Sequence, residues 1–126
     1  MTYKLFLDDL RDVPMVYENL TDADFVIVRN FNDFKKVILE NGLPELISFD
    51  NDLGLDENGQ VAKDGYAAAK WLVYESKLDL RNLKFNVHSA NPVAAQQIQS
   101  LLDNYIRHLK MQILNSIPFF SNKNKL

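Results

Sequence analysis

Three short polar clusters hold the residues that could do chemistry. Asp8-Asp9, with Arg11 just beyond, lie in LFLDDLRD; Asp50-Asn51-Asp52 lie in LISFDNDLG; His88-Ser89-Ala90-Asn91 precede Pro92. Carboxylates held close together raise one another's pKa unless a cation sits among them. Asp8, Asp9, Asp50 and Asp52 form an oxygen-rich set that suits Mg²⁺, Mn²⁺ or Ca²⁺, and Mg²⁺ or Mn²⁺ is the expected cofactor. Arg11 could make a bidentate phosphate contact. Ser89 and Asn91 stand where a helix should begin, and the free N–H groups and dipole of a helix start favour an anion. Metal on one side and anion donors on the other describe a phosphate-handling site, with His88 and Asp50 as its candidate catalytic residues.

Each cluster closes an apolar run. Residues 3–7 (YKLFL), 46–49 (LISF) and 83–88 (LKFNVH) end in the three clusters, and 25–28 (FVIV) ends in Arg29-Asn30. All have the length of buried strands. Helical spacing appears between them. Phe31, Phe34, Val37 and Ile38 mark one helix, stopped by Gly42-Leu-Pro44. Tyr66, Ala69, Leu72 and Val73 mark a second, with Asp64 as N-cap. Val93 to Leu109 mark a long third, with Asn91 as N-cap and Pro92 at its first position. Residues 10–24 contain Pro14 and few periodic apolar residues, so the first crossover reads as an irregular loop. Alternation of this kind predicts a small α/β fold, a mostly parallel sheet with helices on both faces. Ligands bind such sheets beyond the carboxyl ends of the strands, where the three clusters should converge.

The domain is expected over 1–114, with 115–126 as a tail that frays. The acidic stretch DNDLGLDENG fails the EF-hand order, because Gly54 and Leu55 fall where a ligand and a glycine are needed. Asn58-Gly59 reads as a tight turn, and 53–64 as a flap beside the site. His108 reads as a helix-surface residue. Leu109, Ile113, Leu114, Phe119 and Phe120 exceed what one small sheet needs to cover, which makes a homodimer through the last helix an expectation.

Composition narrows the setting. The chain has 126 residues, 47% hydrophobic and 25% charged, as in a globular domain. A net charge of −3 argues against duplex DNA as a partner. The chain has no cysteine, which removes disulfides, thiolate zinc sites and cysteine nucleophiles and fits a reducing compartment. No apolar run approaches the ~20 residues of a membrane span, and no signal peptide is visible at MTYKLFLDDL. The expected location is the cytoplasm.

The motifs LFLDDLRD, LISFDNDLG, DGYAAAKWLV and VHSANPVAAQQIQSLL resemble the cyclic-phosphate processing receiver-like domains, divergent relatives of response-regulator receivers. The resemblance spans roughly residues 3–103. It implies a receiver-like, flavodoxin-like sandwich, here without a fifth strand or a regular first helix. It also implies binding or opening of cyclic phosphates on nucleotides or RNA ends. The family's acidic pair falls on Asp8 and Asp9, and its arginine on Arg11. Its His-Ser-x-Asn-Pro motif is intact as His88, Ser89, Asn91 and Pro92, and its Gly-Tyr is Gly65-Tyr66. The family's Asp-His-Asp-Leu-Gly reads Asp50-Asn51-Asp52-Leu53-Gly54. Asn51 does not titrate, so two histidines cannot divide acid and base work. His88 could act alone beside a metal-bound water.

Two other readings stand beside a cyclic-phosphate phosphodiesterase. A receiver module would take a phosphoryl group on Asp50, but the Lys-Pro of ordinary receivers is missing after residue 92. A catalytically inactive domain would bind a phosphorylated small molecule, nucleotide or RNA end without cutting it, and Asn51 is its main support.

Overall fold

The computed structural model describes the backbone of residues 2–116 and the side chains of 2–112. Four strands, β1 (Lys4–Leu7), β2 (Val26–Val28), β3 (Leu46–Phe49) and β4 (Lys84–Val87), form one sheet. The order is β2-β1-β3-β4 and every pairing is parallel. The chain leaves β1 for the edge strand β2, then crosses back over β1 to β3. The order therefore reverses between β1 and β3, which opens a crevice at their carboxyl ends.

Helices α1 (Phe31–Asn41), α2 (Gly65–Tyr74) and α3 (Pro92–Ser116) follow β2, β3 and β4. Each begins on a polar cap. Asn30 accepts from Asp33 N–H, Asp64 from Ala67 N–H, and Asn91 from Val93 and Ala94 N–H. The strand period of two sends Leu5, Leu7, Ile47 and Phe49 to one face. There they pack with Phe34 and Ile38 of α1, Trp71 and Leu72 of α2, and Ile98 and Leu102 of α3.

The opposite face is covered differently. Residues 8–25 contain two 3-10 turns, Val13–Met15 and Asp22–Asp24, and no α-helix. Val13 and Phe25 pack on Phe6, with Tyr17 and Leu20 beside them. Pro14 sits in the first turn, and the Asp22 carboxylate accepts the Val13 N–H, so side-chain bonds stand in for helical ones. Both faces are thus covered, one by three helices and the other by a strap with short 3-10 turns.

Residues 53–63 form a short hairpin-like excursion pinned by a Leu55–Val61 antiparallel bridge and by buried Leu53. The turn at Asn58-Gly59 closes through Gly59 N–H to the Asp56 carbonyl at 3.0 Å. His108 is exposed, and Leu109 packs against the core. The side chains of Ile113 and Leu114, together with Phe119, Phe120 and the tail 117–126, lie outside the described residues. No helix among the described residues is long and apolar enough to cross a membrane.

Candidate functional site

The sheet ladder itself aligns the chemistry. Asp8 N–H donates to the Val28 carbonyl at 3.2 Å, Asp50 N–H to Leu7 at 2.9 Å, and His88 N–H to Phe49 at 2.8 Å. Each of these residues follows the last residue of its strand, and each N–H is held by the last residue of the neighbouring strand. Register thus brings the three together, and Asp8, Asp50 and His88 each present a ligand-type atom within 4.8 Å of the others.

Asp8 is the hub. It is 1% exposed. Its Oδ1 accepts from Leu10 N–H at 3.0 Å and Arg11 N–H at 2.8 Å. Its Oδ2 accepts from Arg11 Nε at 2.8 Å and faces His88 Nε2 at 3.0 Å. Burial opposes the charge, but these donors and the guanidinium outweigh it and hold the carboxyl below its usual range.

Arg11 also reaches Asp50 Oδ1 through Nη2 at 3.2 Å, and the same nitrogen donates to the His88 carbonyl. It is therefore the internal counter-ion of two buried carboxylates, and its Nη1 makes no hydrogen bond among the described residues. Arg29, which the sequence reading did not single out, clamps this loop. It donates to the Asp8 and Arg11 carbonyls and pairs with Asp12 at 2.7 Å.

One guanidinium does not balance the cluster. The Asp50 carboxyl is pushed up to about 6, by burial first and then by Asp8 and Asp9. Asp9 is also raised, by burial and by Asp8 and Asp52. Asp52 accepts Gly54 N–H, tying the turn that follows. Gly54 adopts a φ of +75°, and a Cβ there would stand 3.0 Å from Asp9 Oδ2. Asp9 also lines a cleft of about 700 Å³ between the start of α1 and the 53–63 excursion, walled by Arg29, Phe31, Asp56 and Lys63. Lys63 Nζ lies 4.8 Å from the Phe31 ring centre.

These bonds decide which groups can meet a cation or an anion. The four lone-pair sites of Asp8 are all engaged, whereas Asp50 Oδ2 and the carboxylate of Asp9 take no side-chain hydrogen bond from the described residues. At α3, Pro92 has no N–H, Asn91 caps Val93 and Ala94, and Ser89 Oγ accepts Asn91 N–H at 3.1 Å. The free backbone donors expected there are already taken. What remains beside the helix dipole is side-chain hydrogen on Asn91 Nδ2, Ser89 Oγ and Arg11 Nη1. Asn51 Oδ1 accepts Tyr66 N–H at 3.1 Å and its carbonyl accepts Gly65 N–H at 2.8 Å, so this residue anchors the start of α2.

His88 lies flat on Phe6, with ring centres 4.7 Å apart and planes 5° apart. Its Nδ1 is 2.7 Å from Ser48 Oγ, Ser48 Oγ is 2.6 Å from Tyr17 Oη, and Asn86 Nδ2 donates to Tyr17 Oη at 2.7 Å. Burial, and Arg11 behind it, keep the imidazole below its ordinary pKa despite Asp8. The sequence reading missed Tyr17, Ser48 and Asn86. The one available signal was a serine inside the otherwise apolar run LISF.

A family model of the cyclic-phosphate processing receiver domain matches residues 3–104. The chain belongs to that family. The match includes every residue of the site just described. A solved structure described as a yeast Spc42 trimeric coiled coil, amino acids 181–211, in a fusion, superposes with a TM-score of 0.52 at 14% identity. The alignment covers 98% of this chain and 91% of that one. At such identity the likeness concerns the fold alone. No curated protein sequence matches the chain significantly.

Proposed function

We propose that this domain binds a cyclic phosphate on a nucleotide or RNA end in the crevice between β1 and β3, and hydrolyses it. The observation that carries this reading is the meeting of Asp8, Asp50 and His88 around the bridging guanidinium of Arg11. In this reading Arg11 Nη1, Ser89 and Asn91 hold the phosphate oxygens with side-chain hydrogens that, like those of Asn51 Nδ2, have no partner among the described residues. His88 moves the proton. A divalent cation, Mg²⁺ or Mn²⁺, would answer the excess negative charge at Asp50; Asp9 adds charge beside it, but Asp9 and Asp52 lie outside the group of Asp8, Asp50 and His88 whose ligand atoms come within 4.8 Å of one another. Such an ion supplies a Lewis acid and an activated water. Asp8, saturated by its own bonds, orients Arg11 and His88.

The test is release of a ring-opened monoester from 2′,3′-cyclic nucleotides in the presence of Mg²⁺ or Mn²⁺. Turnover is expected in the native chain and should fall by roughly 10²–10⁴ in His88→Ala with affinity kept. Equal turnover in the two proteins removes His88 from the chemistry.

A second reading, a phosphate-ligand-binding domain without turnover, is favoured by Asn51. Its carbonyl oxygens hold α2, and it offers no second titrating group. Binding without cleavage in the native chain, and cleavage gained in Asn51→His, would select it.

A further inference from the structure

We propose that Asn86, Tyr17 and Ser48 form a polarised hydrogen-bond chain that ends as a donor on His88 Nδ1 and so supports the Nε2–H tautomer in which the ring donates to Asp8. Ser48 and Tyr17 are positioning residues in this scheme.

The direction of every bond is set from the two ends. Asp8 is an ionised carboxylate and can only accept, so His88 Nε2, at 3.0 Å, must carry hydrogen. In a neutral ring Nδ1 is then the acceptor, and the hydroxyl of Ser48 donates to it across 2.7 Å. With its hydrogen committed, Ser48 Oγ accepts from Tyr17 Oη at 2.6 Å. Tyr17 Oη in turn accepts from Asn86 Nδ2, an amide nitrogen that can only donate. Each hydroxyl gives one hydrogen and takes one.

Packing keeps the chain in place. Ser48 is fully buried, and Phe6 fixes the plane of the imidazole. Tyr17 stacks on Phe25, with ring centres 5.9 Å apart. Ser48 and Asn86 are register partners on β3 and β4, so both point to the same face of the sheet. That face is covered by the irregular strap, and the strap supplies Tyr17. The absence of a regular first helix there thus has a consequence for the site, because Tyr17 comes from the segment that stands in for one.

The tautomer does not depend on the phosphodiesterase reading. Only a catalytic role for the ring rests on it, and the experiment separates the two. The chain has two histidines, so ¹⁵N-histidine labelling with His108→Gln leaves His88 alone to be read. Long-range ¹H–¹⁵N correlation at pH 8 should show a single Nε2–H tautomer. In Ser48→Ala the Nδ1 resonance should move downfield, toward that of an imidazole nitrogen without a donor, while Nε2 keeps donating its hydrogen to Asp8, and Ser48→Thr should restore the native pattern. Tyr17→Phe keeps the aromatic stack, removes the donor to Ser48, and should give an intermediate pattern even if Ser48→Ala fails to fold. An Nδ1–H ring in the native protein, or identical spectra for native and Tyr17→Phe, overturns the proposal. A native Nε2–H ring in a protein that cleaves no cyclic phosphate leaves the chain intact and removes only the function.

Discussion

Asp50 and Asp8 are carboxylates at the ends of adjacent strands, yet their environments drive them apart. Asp8 takes four hydrogen bonds and stays ionised; Asp50 shares Arg11 and titrates near 6. A folded-state pKa of about 6 against an ordinary 3.8 means that the folded form holds the Asp50 proton more tightly than the unfolded form does. The resulting stability is fully present below about pH 4 and is lost as pH rises through 6. Asp50→Asn should therefore be more stable than the native chain at pH 7.5 by about 2 kcal/mol, with the gap closing toward pH 4. Urea denaturation of both proteins at several pH values measures it. The difference between them isolates Asp50, because His88, whose pKa burial depresses, slopes the other way in the same window. A gap independent of pH would mean that Asp50 is not strained. Arg11→Ala should act oppositely, costing roughly 2–3 kcal/mol at neutral pH by leaving two buried carboxylates uncompensated; Arg11→Lys should recover part of it. Asp8, Asp50 and His88 were legible in the sequence because each is a polar residue ending an apolar run. The spatial role of Arg11 was not, because its bonds depend on how the 8–12 loop folds back over both strand ends.

The elements meet at one unusually close approach. A Cβ on Gly65 would lie 1.9 Å from the Asp50 carbonyl oxygen and 2.9 Å from its carbonyl carbon. Only a residue without a side chain lets the start of α2 rest on the β3 exit, where Asn51 then bonds Gly65 and Tyr66. Gly65→Ala must move that helix or the loop that carries Asp50. It should destabilise by about 3 kcal/mol or more, read as a lowered urea midpoint. A change below 0.5 kcal/mol, the ordinary surface range, would show that the loop yields freely. Strand positions, helix caps and the irregular first crossover were readable from apolar runs, Asn and Asp before periodic segments, and Pro14. The filled donors at α3 were not foreseen, since the side chain that marks a helix start also consumes the N–H groups that an anion would use. The chain Asn86–Tyr17–Ser48 was hidden for a related reason. It joins residues 69 positions apart, and only the register of β3 with β4 reveals that two of them share a face.

At the scale of the molecule, a chain of net charge −3 brings Asp8 and Asp50 together at the reversal point of its sheet, within electrostatic reach of Asp9, and answers them with the guanidinium of Arg11. A phosphate approaching that edge meets a field of its own sign until a cation is added. Inorganic phosphate alone should therefore move the melting temperature little at pH 7.5, Mg²⁺ or Mn²⁺ should raise it, and the two together should raise it by more than the sum. A ligand at a hundred times its Kd adds about 2.7 kcal/mol to stability, which a thermal shift resolves easily in a domain of this size. Protons compete for the same oxygens, so cation affinity should weaken about tenfold per pH unit once pH falls below the Asp50 value of about 6. Asp50→Asn, which leaves Asp8 and Arg11 in place, should lose the cation response and, with it, the added effect of phosphate. A phosphate shift that persists without any divalent ion, and that vanishes in Arg11→Lys but not in Asp50→Asn, would instead make Arg11 the sole anchor of the anion and the acidic cluster a bystander to it.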